Sequence, residues 1–302
     1  MKATHYIYIL FAALLTLTCV GCEDRLNIEK HGSLGGPENY YKTDEEAEAA
    51  VASMLISWRD VYSNWFYVKN LLSDDAYAGG GSRGDNAQME QLNEFTFFTD
   101  NSMISGLYSG LYTLVYKANL IIENVTGESP IMKRAVAEAK FYRAWAYLEL
   151  VTLWGTAPLV DHLLAPSEYH VSNSTPEVLW AFVEQNLEEA ISSNALPSKS
   201  GIDDADATSR VTLETAKAHL GKAYLFQGKY TEAAAILDEV IDSKKYELYR
   251  GDFDMLGHAA TNNCSDAMLE VQRRNNSEQA WNQFVQFYIM LGWRTSHMVY
   301  GP

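Results

Sequence analysis

From Tyr6 to Val20 the chain is an almost unbroken apolar run, preceded by a short polar stretch carrying Lys2 and followed by polar Glu23-Asp24-Arg25. The run is too short and wrongly flanked for a membrane-spanning helix and has the layout of a secretory signal. Residues 23–42 are polar and glycine-rich, with Gly32, Gly35, Gly36 and Pro37, and read as a tether. Thr43 and Glu46 then have the spacing of a helix-opening capping box. Ala47, Ala50, Val51, Met54, Leu55, Trp58, Val61 and Tyr62 recur at helical period and predict a helix to about Leu72. Ser73 to Asn93 breaks the pattern. Gly79, Gly80, Gly81 and Gly84 with Asp74, Asp75 and Asp85 predict one long loop, and loops of that length often carry function.

Three more helices follow: about 102–125, about 131–153, ended by Gly155 and Pro158, and one opened by Thr175-Pro176-Glu177. Residues 155–174 between the last two read as a second long loop. From Thr212 to Tyr249 the pattern is a helical hairpin. Ala216, Leu220, Gly221 and Ala223 face Ala233, Leu237 and Val240 across a turn at Gly228-Lys229-Tyr230. Small residues at Gly221, Ala223 and Ala233 allow close approach, the layout of a tetratricopeptide repeat. Before residue 266 nothing alternates as a strand; Ala267 to Gln272 reads as one short strand. The predicted class is all-α, built of tetratricopeptide-like hairpins with long irregular loops.

Gly21 before Cys22 resembles a bacterial lipobox, with Cys19 where a Leu is usual. The mature chain would then begin at an acylated Cys22. Each buried methylene of an acyl chain adds about 0.8 kcal/mol, so two or three chains hold firmly where one is marginal. The expected organisation is a signal over 1–21, a tether over 22–42 and a helical domain over 43–302. With Cys19 in the signal and Cys22 acylated, only Cys264 remains, which leaves neither an internal disulfide nor a paired-cysteine zinc site. The chain carries 23 Lys+Arg against 39 Asp+Glu, a net charge of -16, and loss of the signal removes one further cation. So acidic a surface repels phosphate backbones and anionic headgroups, so nucleic acid is not an expected partner and the acyl anchor is the expected membrane contact.

Catalytic and metal patterns fare poorly. Asp74-Asp75 and Asp203-Asp204 are adjacent loop acids, whereas acid–base work needs two carboxylates placed across a bond. No HExxH occurs. Gly79 to Asp85 is glycine-rich without the Gly-Lys-Ser/Thr ending of a phosphate loop, and its Arg83-Gly84-Asp85 matches an adhesion tripeptide by accident. Asp203, Asp204 and Asp206 lack the glycine and distal Glu of a calcium loop and read better as a turn. No enzyme activity, cofactor or metal is expected. Arg143 has Glu138 and Glu149 as its nearest acids, neither at ideal helical spacing. It therefore reads as a structural group whose partner comes from another helix or from orphan carbonyls at a helix end.

The order of segments resembles the RagB/SusD family of outer-membrane nutrient-binding lipoproteins. The resemblance rests on Cys22, the helix opening Thr43-Asp44-Glu45-Glu46-Ala47, the run Tyr116 to Glu123 with its Ala118-Asn119, and Glu138-Ala139-Lys140-Phe141-Tyr142-Arg143-Ala144. It continues through Gly155-Thr156-Ala157-Pro158-Leu159-Val160 and the hairpin at 212–249. It implies about four tetratricopeptide-like hairpins capping a SusC-like TonB-dependent transporter. Such a lipoprotein captures oligosaccharide or peptide at the cell surface, and Glu23-Asp24 is similar to the signal for the outer face. Family members are much longer, with an irregular second half that supplies much of the ligand face. This chain stops at Met298-Val299-Tyr300-Gly301-Pro302, so it looks like a fragment with that half incomplete. Sugars are held by aromatic faces and polar hydrogen bonds. The loop offers Tyr77, Arg83, Asp85, Asn86 and Gln88; the tail offers Trp281, Trp293, Arg294 and Tyr300. Of these, Tyr77, Arg83, Asp85, Asn86, Trp293 and Arg294 are the candidate ligand residues. The helix aromatics Trp58, Tyr112, Trp145 and Tyr224 read as core. A peptide-binding relative and a tetratricopeptide interaction scaffold without a small ligand remain the alternatives.

Overall fold

Helix α1 (Asp44–Leu71) opens with the capping box that the sequence predicts. The Glu46 amide donates to Thr43 Oγ1 at 3.2 Å, and the Thr43 amide donates to the Glu46 carboxylate at 3.1 Å. The computed structural model describes residues 40–79, 82–256 and 258–272. Cys22, the tether up to residue 39 and the tail residues Trp281, Trp293, Arg294 and Tyr300 lie outside them.

The predicted single loop over 73–93 is interrupted, because Ala87–Asn93 forms a helix, α2. The glycines end at Gly84, and from there local capping decides: Asn86 Oδ1 accepts from the Met89 amide at 3.2 Å. Leu92 is fully buried, so α2 docks on the body through it.

Helix α3 (Ser102–Asn124) is capped by Asn101, whose Oδ1 accepts from Met103 and Ile104. Helix α4 (Pro130–Trp154) starts with Ser129 as cap and Pro130 in its first turn, and ends at Gly155 with φ of 73°. Helix α5 (Pro176–Ser192) has Thr175 at the capping position, with no side-chain cap hydrogen bond. The Thr175 hydroxyl instead acts on Glu177 and is the chief reason its carboxyl titrates below its ordinary value. Helices α6 (Leu213–Phe226) and α7 (Tyr230–Asp242) complete the set among the described residues.

Each of the long helices packs on the next, and α4 also touches α1 and α6. That is the stacking of helical hairpins in a solenoid, here α1/α3, α4/α5 and α6/α7. Helix α4 is its axis. Phe141, Tyr142, Arg143 and Ala144 are consecutive and all buried, as happens when a helix is covered on every side. Trp58, Tyr112, Trp145 and Tyr224 pack against the core while half-buried.

In the last hairpin, Gly228 takes a φ of 73°, which fits the predicted glycine turn. A Cβ on Gly221 would lie 2.6 Å from Leu237 Cγ and 3.2 Å from Ile236 Cγ2. Gly221→Val is therefore expected to cost about 2 kcal/mol through overpacking. Thermal melting checks it, and an unchanged midpoint would show that α6 and α7 can move apart freely.

The loop after α4 holds one two-residue antiparallel pair, β1 (Ala157–Pro158) with β2 (Asn173–Ser174). The expected strand over 267–272 does not form. A strand needs a ladder partner, and this segment bonds individually to side chains and turns: Thr215 Oγ1 donates to Met268 O, and the Glu270 amide donates to Thr208 O. Asp204 serves the turn at 205–209, accepting from the Ser200 amide and hydroxyl and from the Ala207 amide. These bonds hold its carboxyl below the ordinary range. Among the described residues no helix is long and apolar enough to cross a membrane.

Candidate functional site

Two of the places where polar side chains gather differ in kind. The first is inside the solenoid. Arg143, 6 % exposed, donates from Nε and Nη2 to Asn186 Oδ1 at 2.9 and 2.7 Å, and from Nη1 to Asn119 Oδ1 and the Asp161 carbonyl, both at 2.8 Å. Its guanidinium also lies 5.0 Å from the Phe182 ring. Burial lowers its pKa from the ordinary arginine value. The partners come from α3, α5 and the loop after β1, in line with the helical spacing that left it no acid on α4.

The same loop is gripped by neighbours of Arg143. Tyr112 Oη donates to Pro158 O at 2.7 Å, and Tyr147 Oη accepts from the Val160 amide at 2.6 Å. Asn119 Nδ2 donates to Val160 O and His162 O. Burial raises both tyrosine pKa values. The Ala118-Asn119, Phe141-Tyr142-Arg143 and Gly155 to Val160 segments, separate in sequence, thus form one hydrogen-bonded joint. It satisfies loop carbonyls that would otherwise be buried without donors.

The second place is at the surface, the segment from Ser73 to Asp100. Tyr77 is 81 % exposed. The Ala78 amide donates to Asn93 Oδ1 at 3.1 Å, which brings the start of the loop back to the end of α2. Arg83 Nη2 pairs with the Glu94 carboxylate at 2.7 Å. The Glu94 bond is the main cause of its raised pKa, with Glu90 and Tyr77 also acting on it. The Gly84 amide donates to Glu90 Oε1 at 2.7 Å. Asp85 accepts from the Ser82 amide and hydroxyl, and Asn86 caps α2, so both shape the loop itself. Gln88 ties α2 to α3, its Oε1 accepting from the Ser102 amide at 2.7 Å.

Tyr77, Arg83, Asp85 and Asn86 therefore lie in one surface element. Sequence reasoning missed its far side, Glu94, Phe95 and Phe98. Phe95 and Phe98 are 61 % and 73 % exposed. The run Phe95-Thr96-Phe97-Phe98 beside a polar loop was the available signal. Phe95 follows the cap of α2 with a φ of 55°, a left-handed conformation that suits glycine and costs a bulky residue about 1 kcal/mol. Among the described residues no group of three or more His, Cys, Asp or Glu is gathered as for a metal ion.

Residues 37–225 match the SusD-like family described as "Starch-binding associating with outer membrane", and the chain belongs to that family. It is similar to SusD-like protein P2 of Formosa agariphila, 30 % identical over 247 residues, 76 % of this chain and 45 % of that protein. Among solved structures it is similar to a laminarin-binding SusD-like protein, with a TM-score of 0.67 and 32 % identity over 76 % of this chain and 51 % of that one. Surface glycan-binding protein A from Bacteroides uniformis shares the fold, with a TM-score of 0.66 at 20 % identity over 76 % of this chain and 52 % of that one. The chain spans about half the length of the relatives it matches.

Proposed function

We propose that this protein is a cell-surface lipoprotein that binds oligosaccharide and hands it to a SusC-like TonB-dependent transporter in the outer membrane. Family membership across 37–225 is the observation that carries this reading. The exposed element around Tyr77, Arg83 and Phe95 supplies what a sugar needs: flat rings for C–H faces and polar groups at their edges. The protein acts by binding and not by catalysis. Trp293 and Arg294 are proposed to add to the ligand face.

Anchoring rests on Cys22, which carries acyl chains and keeps the protein on the membrane. Cys22→Ala is expected to move the protein from the membrane fraction to the soluble fraction, because the described helices offer no spanning segment to replace the lipid. Fractionation and immunoblotting read this directly; unchanged membrane retention would sink the anchor. Delivery to the transporter is tested by co-purification. The tagged protein should bring down a barrel transporter, and a Gly-Ser replacement of residues 79–85 should weaken that capture or the glycan affinity. The replacement stops before Asn86 because Asn86 and Gln88 support α2 and α3.

A further inference from the structure

Between Lys69 and Lys117 the chain has one basic side chain, Arg83, against Asp74, Asp75, Asp85, Glu90, Glu94 and Asp100. All of these acids but Glu90 are exposed. An exposed arginine beside aromatic rings is the natural clamp for a carboxylate or sulfate, because its fork matches such groups with two bonds. Here Glu94 engages one end of that fork and offsets its charge, with Nη2 2.7 Å from the carboxylate. The rings remain presented. Tyr77 lies one residue before the Ala78 amide, and Glu94 and Phe95 follow Asn93, which accepts from that amide. Phe95 keeps its ring in solvent at a left-handed position that glycine would fill at lower cost, and burial returns little at 61 % exposure.

We propose that Glu94 is a charge filter: by neutralising Arg83 it makes this element select neutral oligosaccharides and reject sulfated or uronic-acid ones. The proposal rests on the glycan-binding reading and adds to it the charge class of the ligand and the residue that sets it. Neutral sugars stack on the rings with no electrostatic cost. A polyanion brings a charge at each repeat into a net-negative field that reaches about 8 Å at physiological salt.

The test uses a matched pair of probes, laminarin and sulfated laminarin, with starch and sulfated starch as a second pair. Affinity electrophoresis compares the full chain with Glu94→Gln, and the melting temperature checks that the variant is folded. The wild type should be retarded by a neutral member and not by its sulfated form. Glu94→Gln frees Arg83 and should raise affinity for the sulfated form about fivefold, a gain that 0.5 M NaCl removes, as expected of one exposed charge contact. Two results overturn the filter while leaving glycan binding intact: equal wild-type retardation by both members of a pair, or no change in sulfated affinity in Glu94→Gln. Absence of retardation by every carbohydrate, in a protein of normal melting temperature, would instead overturn the glycan reading itself and the filter with it.

Discussion

Arg143→Ala is expected to destabilise the protein by about 4 kcal/mol, because four bonds from a charged donor vanish and their acceptors stay buried. Asn119 and Asn186 are each 1 % exposed, so water cannot replace the guanidinium without opening the α3–α4–α5 packing. For a chain of this size the loss corresponds to a fall of about 10 °C in melting temperature. Arg143→Lys should recover less than half, since a single ammonium cannot reach two asparagine oxygens and the Asp161 carbonyl together. Thermal denaturation of the three proteins reads this. Weaker ligand binding at an unchanged midpoint would contradict the structural role and make Arg143 a ligand residue.

The second large effect is at Glu138, which is fully buried between two arginines. It accepts from Arg134 Nε at 2.9 Å and from Arg210 Nη2 at 2.8 Å, while Arg210 Nη1 reaches Glu48 of α1 at 2.7 Å. The network joins α1, α4 and the segment before α6. Glu138→Ala leaves two cations facing each other without their shared acceptor and should cost about 3 kcal/mol, reduced somewhat because both arginines reach solvent. Arg210→Met added to Glu138→Ala should recover part of that loss by removing the repulsion between the two guanidinium groups, less the loss of the Arg210–Glu48 pair. Purely additive losses in the double variant would show that the pair is not coupled.

These two centres show where the sequence stops being legible. The long helices follow from apolar periodicity and their caps, since Thr43, Asn101, Ser129 and Thr212 each act locally. Arg143 could be read as needing help from another helix, but its neutral partners could not. Asn119 and Asn186 carry no charge to mark them, and they come from different helices. The Glu138–Arg210 pair spans 72 positions of sequence, beyond any local pattern. Helix α2 was hidden by the glycines before it and by its seven-residue length, too short for a periodic signal. The segment 267–272 has strand-like composition, yet composition cannot supply a partner strand. In the surface element, Tyr77 and Arg83 were readable from residue type. Their setting was not, because Asp85 and Asn86 bond within the loop itself and Glu94 takes the arginine only in three dimensions.

The proposed carbohydrate site of this chain is the element around Tyr77 and Phe95. The most direct measurement is affinity electrophoresis of the protein purified without residues 1–21, run against neutral glycans beside the double variant Tyr77→Ala, Phe95→Gly. The wild type should be retarded by at least one neutral glycan and the variant should not, with a melting temperature that stays level or rises as glycine relieves the left-handed position. Retardation that survives undiminished in the variant would place the sugar elsewhere, and an absence of retardation by any glycan would contradict the claim outright.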